Sequence, residues 1–408
     1  MERNEYIDYI IQHTNKLKNN EINVATYWSE LKYLDLPISD EIIIVQYNGL
    51  GDGLLCSGFI KIVKLNNPNK PVILICNASF KNLYEYCLYI DKLISVPCKE
   101  QSFADILFDI INICKENFWY TKPELILCPQ WGRPNFMASI TANLVGGNRR
   151  IGYNLNSWKT CYVNPPKFYN DPINYDFLLT DNLYSPDNII HNIDRKIYIL
   201  KYLGYKVDSY DLDIQLIDTD YFKINFLKQY PYKIAIGLGG SLKSKCYPSH
   251  LLIQALEKII KIDKPEFVFI GGNDCINDAD FIISTLNNGI NLCGKLTLRE
   301  SLAAMQQCQL YIGNDTVTSH MASVYNLPII NIVMEAKDKY NDCPGHLSSV
   351  QQFSPRSKIV KIIQPEYSLN QCQIAHIHGG CMFDIPHCIT QINPLKIVEA
   401  YKEIRKEM

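Results

Sequence analysis

The sequence predicts an α/β protein of two parallel-sheet domains facing each other across a cleft, preceded by a short helical extension. Three observations carry that expectation. The chain has 408 residues, more than one hydrophobic core usually supports, so two domains of roughly 150 to 200 residues are expected. Short apolar runs alternate with polar loops and helical patterns, the signature of βαβ units. The alternation lapses near residue 151 and restarts near residue 232, so it occurs twice.

Residues 1–39 form the extension, read as one or two amphipathic helices because Tyr6, Ile10, Ile11 and Leu17 recur at near-helical spacing. The first domain is expected over 40–210. Its strands are EIIIVQYN (41–48), PVILICNA (71–78), KLISVP (92–97) and ELILCPQW (124–131), with a helix near 80–89. Residues 151–230 turn irregular and aromatic, apart from a helix over 191–205 that closes with Gly204 at its C-terminal cap. The second domain is expected over 211–392. YKIAIGLGG (232–240) is a strand running into a glycine-rich turn, and 248–262 carries apolar residues at 252, 256, 259 and 260, one helical face. PEFVFIGG is another strand and turn. Thr297 and Glu300 have the spacing of a capping box at the head of the next helix. QLYIGND, TSHMASVYN and LPIINIV then supply strand, helix and strand, and 393–408 is a last helix with proline in its first turn, expected to pack back on the first domain. Both domains are Rossmann-like, and their strand ends would line the cleft.

Composition narrows the function. Forty basic residues against 42 acidic ones leave a net charge of −2, which gives no footprint for bulk nucleic-acid binding. The N-terminus is charged from its second residue, and no window approaches the run of about 18 apolar residues of a spanning helix, so a cytoplasmic protein is expected. The 15 cysteines are too many to ignore, but a disulfide framework does not suit a cytosolic chain of this size. Cys56, Cys76, Cys87, Cys114, Cys128 and Cys308 fall in apolar segments, where a thiol packs as a small hydrophobe.

Three loops carry candidate chemistry. IGNDTVTSHM ends a strand and opens a helix with Thr316, Thr318 and Ser319 at the turn. Free N–H groups and the positive helix end there suit a diphosphate. Asp315 would repel phosphate, so it fits as a helix cap or as an acceptor for sugar hydroxyls. Plain capping by Asp315 or Thr316, with no ligand, explains this stretch equally well. GLGGSLKSKCYP places Lys243 and Lys245 after a glycine-rich turn, where lysines can neutralise a diphosphate leaving group; it is not a Walker sequence. YNGLGDGLLCSG carries one acid, Asp52, on a glycine-flanked loop. It reads as a general base or as the cap of a helix starting near Leu54. The loop is no nicotinamide fingerprint, because Leu54 stands where the third glycine belongs. Three Asp-x-Asp pairs (Asp211 and Asp213, Asp218 and Asp220, Asp278 and Asp280) follow no clear buried strand and are discounted as metal sites.

Taken in order, GLGDGLLCSGFIKIVKLNNP, VGGNRRIGYN, HNIDRKIYILKYLG, GGSLKSKCYP and GKLTLRESLAAMQQCQLYIGNDTVTSHMA resemble the bacterial heptosyltransferase-like glycosyltransferases of family 9, over about residues 41–400. That resemblance implies the two-domain GT-B fold and inverting transfer of a sugar, typically a heptose from an ADP-sugar, without a catalytic metal. Asp52 then matches the family's base for the acceptor hydroxyl, Lys245 its phosphate-contacting lysine, and Asp315 and Thr316 its donor-binding turn. Val317 follows Thr316 where the family often has Ser-Gly after the Asp. With Ser241, Thr318, Ser319 and His320, these residues make up the expected donor set. Inversion needs only one base, since the acceptor oxygen displaces the nucleotide directly.

The expected partners are a nucleotide-diphosphate sugar and a glycan or protein acceptor, with no nucleic acid; peripheral membrane association through 132–150 and a homo-oligomer accord with this picture. No cofactor is required for catalysis. A structural Zn or Fe at Cys343, Cys372, Cys381 and Cys388 is the one metal expectation, set against separate structural thiols because the spacings lack C-x-x-C pairing. Two other readings stand beside the transferase. One is a nucleotide-sugar epimerase of the same fold, in which His320 would act; the other is a non-catalytic scaffold.

Overall fold

The computed structural model describes residues 3–97, 103–117, 120–130, 136–154, 157, 175–338, 348–369 and 385–408. The described residues up to Tyr210 form one compact unit, apart from 190–192, which go with the second unit, Asp211–Met408.

In the first unit, α1 (Arg3–Lys18) and α2 (Val24–Glu30) precede β1 (Ile38–Gln46), α3 (Leu50–Asn66), β2 (Val72–Asn77), β3 (Lys92–Val96), α4 (Phe103–Asn117), β4 (Lys122–Cys128), α5 (Phe136–Val145), β5 (Arg149–Tyr153), β6 (Asp181–Leu183) and α6 (Asn192–Tyr202). The six strands form one parallel sheet in the order β3-β2-β1-β4-β5-β6. Ile42 to Val45 of β1 are all buried, as expected of a parallel strand covered on both faces. The extension is not a separate appendage. Tyr6, Ile10, Leu17, Tyr27 and Trp28 belong to the core that also holds Ile43 and Val45 of β1 and Leu107 and Ile111 of α4. Lys18 pairs with Asp105 of α4 at 2.8 Å, a modest addition to that apolar contact.

The expected helix at 80–89 is instead a 3-10 turn, Ala78–Tyr84, capped by Asn77 and broken by Phe80 at φ −127°. Its aromatic residues explain the geometry. Phe80 lies against Gly53 of α3, and Tyr84 donates to the Gly53 carbonyl, so the turn is held by packing rather than by its own ladder.

The second unit contains β7 (Lys233–Gly237), α7 (Ser249–Asp263), β8 (Glu266–Ile270), α8 (Ile276–Leu286), β9 (Ile290–Asn291), α9 (Leu298–Gln306), β10 (Leu310–Asn314), α10 (Val317–Val324), β11 (Ile329–Ile332), α11 (Ser349–Phe353), β12 (Val360–Ile363) and α12 (Pro394–Glu407). Its parallel sheet runs β12-β11-β10-β7-β8-β9. The capping box stands as expected: Glu300 N–H donates to Thr297 Oγ1 at 3.2 Å, and Thr297 N–H to Glu300 Oε2 at 2.7 Å. Gly204 closes α6 at φ +75°, a left-handed cap that glycine adopts without steric cost. The C-terminal helix α12, expected to return to the first domain, packs within the second unit. Tyr401 and Arg405 both bond Asp263 of α7, at 2.6 and 2.8 Å, and its apolar face (Ile397, Tyr401, Ile404) joins that unit's core.

Candidate active site

Each sheet turns at a switch point. In the first, the chain runs from β1 outward to β2 and β3 and then returns to the other side of β1 with β4; in the second, β7 and β10 flank the same kind of reversal. Loops leave such a point in opposite directions, and the crevice they open is where ligands bind in this architecture.

At the first switch point β1 ends at Gln46, and α3 starts at Leu50 with Gly49 as its N-cap, at φ −60° and ψ 171° and without a side-chain cap. Asp52 therefore lies inside the first turn and does not cap a helix beginning near Leu54. It is half-buried, and the helix dipole favours a carboxylate there. The loop below it is pinned from the segment just after β4. With its amide oriented as the hydrogen bonding requires, the buried Gln130 accepts from Tyr47 N–H at 2.7 Å and Asn48 N–H at 3.1 Å, and donates to Asn48 Oδ1 at 3.0 Å. Gly53 has a steric reason to be glycine, since a Cβ would press on the Phe80 ring at 3.3 Å.

At the second switch point the turn after β10 and the loop after β7 are buckled together by Asn314. Its side chain is buried, donates to the Leu238 carbonyl and accepts from Tyr247 N–H at 3.0 Å. Tyr247 is itself anchored through its hydroxyl to the Ile392 carbonyl at 2.7 Å. The N-terminus of α10 sits low on the strands because Gly237 leaves room; a Cβ there would fall 2.5 Å from Thr318 Oγ1 and nearer still to the Tyr311 hydroxyl. Beneath the helix start the Tyr311 hydroxyl meets Thr318 Oγ1 at 2.8 Å, which meets Thr316 Oγ1 at 3.0 Å. Burial pushes the Tyr311 phenol above its usual range, so it stays a neutral donor.

The expected donor residues fall into two groups. Thr318 and Ser319 are buried, and Ser319 Oγ donates back to the Thr316 carbonyl at 2.7 Å, so their side chains serve the helix start. His320 is buried in the next turn. Thr316 is the N-cap of α10, but neither it nor Asp315 gives a side-chain cap. Asp315 instead accepts from Asn331 Nδ2 at 3.1 Å, while its own N–H donates to the Ile332 carbonyl at 2.9 Å. Asp315 and Ser319 N–H are taken within the fold, whereas the first N–H groups of a helix, here those of 316–318, lack an intrahelical acceptor. Lys245 is half-buried in a 3-10 turn, Lys243–Lys245, and among the described residues its ammonium makes no hydrogen bond or ion pair; Ser241 is exposed on the same loop.

Cys343, Cys372 and Cys381 of the expected metal set lie outside the described residues. Cys388 is buried and accepts from Leu369 N–H at 3.3 Å. Among the described residues no three His, Cys, Asp or Glu side chains gather as a metal site. The Asp-x-Asp pairs have structural uses. Asp220 binds Arg299 at 2.6 Å, Asp278 accepts from Ser249 at 3.0 Å, and Asp280 accepts from Asn291 at 2.7 Å.

Asn314, Gln130 and Asn331 escaped the sequence reading as site residues. Only the motif position of Asn314, inside GND, marked it, and its bridging bonds depend on a loop 67 to 76 residues away.

Two six-stranded parallel sheets with flanking helices, each reversing beside its opening strand, are the architecture of GT-B-type glycosyltransferases. Residues 190–334 match the family model described as glycosyltransferase family 9 (heptosyltransferase). The resemblance read from the sequence is borne out by this match and by a curated heptosyltransferase relative. Lipopolysaccharide heptosyltransferase 1 of Campylobacter coli is 23% identical over 300 residues, 72% of this chain and 83% of that protein. Among solved structures, a family 9 glycosyltransferase from Veillonella parvula superposes with a TM-score of 0.68 at 17% identity, covering 92% of this chain and all of that one. The ADP-heptose lipopolysaccharide heptosyltransferase II of E. coli gives 0.62 at 13% identity, covering 90% and 100%. These likenesses establish the fold.

Proposed function

We propose that this glycosyltransferase moves a heptose, or a closely related sugar, from a nucleotide diphosphate, ADP-heptose in first place, to a hydroxyl of a glycan or protein. The acceptor oxygen attacks the anomeric carbon while Asp52 takes its proton. The bond from that carbon to the diphosphate oxygen breaks, and the nucleoside diphosphate leaves with the electron pair. A single displacement inverts the anomeric configuration and asks the protein for one base and a stabilised leaving group. Lys245 and the N–H groups opening α10 would take the leaving charge, and Asp315, held by Asn331, would accept from sugar hydroxyls.

The observation that carries the reading is the Asn314 buckle, which ties both ends of the lysine loop to the GND turn; in the proposed reaction the cation and the helix start then address one diphosphate. Metal-free catalysis follows if Lys245 does the work of a divalent ion. The name of the Campylobacter relative favours a lipopolysaccharide core sugar as acceptor over a protein side chain. A cytoplasmic location suits the chain: the ten cysteines among the described residues are all free. No described helix is long and apolar enough to cross a membrane, so a lipid-borne acceptor would be met peripherally.

The test is thermal shift of the purified protein against ADP-heptose and ADP-, UDP- and GDP-hexoses in EDTA. Donor transfer to a heptose-acceptor glycan is then followed by mass spectrometry. Selective stabilisation by ADP-heptose with transfer in EDTA is expected. Stabilisation that appears only with added divalent cation would overturn the metal-free mechanism, and no stabilisation by any nucleotide sugar would overturn the donor assignment.

A further inference from the structure

The first unit holds a cavity that the proposed chemistry does not use. Its volume is about 280 Å³, and it lies where the N-terminal extension meets the sheet. The extension contributes Tyr6, Tyr33, Leu34 and Leu36; the domain contributes Lys122 at the start of β4, Asn143 to Val145 at the end of α5, and Arg150 near the start of β5. Parallel strands begin at this end. β4 runs from Lys122 to Cys128, a span of roughly 20 Å, and Gln130, which pins the Asp52 loop, lies beyond its far end. The cavity is therefore separate from the switch point.

Its charge has one sign. Arg150 and Lys122 bring two cations, and among the described residues no carboxylate lines it. Lys122 pairs at 2.9 Å with Asp35, whose side chain is fully exposed, so that pair is weak. Arg150 has no carboxylate partner among the described residues. It is half-buried, and its Nε donates to the Leu178 carbonyl and its Nη1 to the Gly147 carbonyl, both at 2.7 Å. Those bonds fix the guanidinium and leave its Nη2 without a hydrogen bond among the described residues. Asn143 repeats the pattern: its Oδ1 accepts from the Tyr33 hydroxyl at 2.7 Å, and its Nδ2 makes no hydrogen bond among them. A cation drawn partly out of water is costly unless an anion meets it, and burial pulls the Arg150 guanidinium below its ordinary value. We infer that this cavity binds a small amphipathic acid, with its anionic head on Arg150, Asn143 and Lys122 and its apolar body along Leu34, Leu36 and Leu144. A guanidinium fork suits a carboxylate or a phosphate equally. A cavity of about 150 Å³ holds benzene, so this one suits a ligand of roughly ten heavy atoms. The extension is then part of a binding site as well as a brace for α4. The inference stands apart from the transferase reading, since it uses no residue of the proposed reaction.

The test is calorimetric titration of the full chain with phenylacetate, phenyl phosphate, benzyl alcohol and inorganic phosphate. Phenylacetate or phenyl phosphate should bind once per chain, and the tighter of the two names the head group. Benzyl alcohol lacks the charge and inorganic phosphate lacks the body, so each should bind at least about tenfold more weakly. Arg150→Met should weaken the amphipathic acid about 10- to 100-fold and Lys122→Met by a smaller factor, whereas Lys245→Ala, in the second unit, should leave its affinity unchanged. No binding of either acid at millimolar concentration would overturn the inference, as would benzyl alcohol binding as tightly as the acids. Binding lost in Lys245→Ala but kept in Arg150→Met would put the probe on the lysine loop of the second unit, and that too would overturn it. Should Arg150→Met fail to fold, Lys122→Met decides, because the ion pair it loses is a weak surface one. An acid affinity that Lys122→Met leaves untouched would then overturn the inference.

Discussion

The two units share one topology and differ in what they place at the same point of it. Read from the outer strand of the first-filled side, both sheets run 3-2-1-4-5-6 in their own chain order. In the first, the loop after the opening strand is three residues long and leads straight into a 17-residue helix whose first turn holds Asp52. In the second, the corresponding loop runs from Leu238 to Pro248 before α7 begins, and it carries glycines, lysines and an exposed serine. A short loop fixes one side chain against a helix. A long one wraps a ligand with backbone and flexible cations, and it needs a buckle. Asn314 is that buckle, and the first unit has its counterpart in Gln130, which pins the loop under Asp52 from just beyond the neighbouring strand β4. In the proposed reaction the same position in the sheet supplies the base in one unit and the leaving-group cradle in the other.

Substitutions on either side should separate these roles. The largest effect is expected at Asp52→Asn, which removes the proton acceptor and leaves the donor unit intact. Transfer should fall about 10²- to 10⁴-fold while calorimetric donor affinity stays within a factor of two. Undiminished kcat would remove Asp52 from the mechanism. Lys245→Ala comes next. A hydrogen bond to a charged group is worth about 1.5–3 kcal/mol, so kcat/KM for the donor should fall about 10- to 100-fold, with the acidic limb of the pH profile where it was. Movement of that limb would show that the two switch points are not separable. Asn314→Ala leaves Tyr247 N–H buried without its acceptor and frees the lysine loop. A loss of about 1–3 kcal/mol in urea unfolding is expected, together with a raised donor KM at nearly constant acceptor KM. Loss of stability without a change in donor KM would reduce Asn314 to a structural part.

What was legible in the sequence follows how local each signal is. The capping box at Thr297 and Glu300, the left-handed Gly204 and the parallel strands depend on residues within a few positions of one another. Each is where the pattern put it. Asp52 was legible as a candidate, but not its place in a helix. Glycines at 51 and 53 read as loop, since glycine disfavours a helix by about 1 kcal/mol, yet the chain is helical from Leu50 because Phe80 packs against Gly53. The same contact explains the missed turn at 78–84, whose aromatics are committed to α3 rather than to a helical face of their own. Lys196 was hidden for another reason. In NIDRKIYILKY a lysine looks like the solvent side of an amphipathic helix, and only the tertiary fold buries Lys196. Asn314 and Gln130 needed the order of the strands before their reach across a switch point could be seen.

The smallest expected effect tests whether the second unit's outer layer is independent of the first. Arg405 and Tyr401 of α12 hold the Asp263 carboxyl below the usual carboxylate range, through bonds of 2.8 and 2.6 Å. Because the folded value lies below the unfolded one near about 3.9, the stabilisation is fully present above that value and is lost as pH falls through the folded one. The carboxylate and guanidinium side chains are 25% and 34% exposed, so solvent screening limits the pair to about 1 kcal/mol. Asp263→Asn should therefore be less stable than wild type by about that amount at pH 7, and the gap should close as pH falls through the folded value. Hydrogen exchange should quicken in α7 and α12 and stay unchanged in α1 through α6. A stability gap that persists at acid pH would mean that packing of Tyr401, not charge, fastens α12. Faster exchange reaching α3 would mean that the two switch points share one cooperative unit, and that the base could not be perturbed without the cradle.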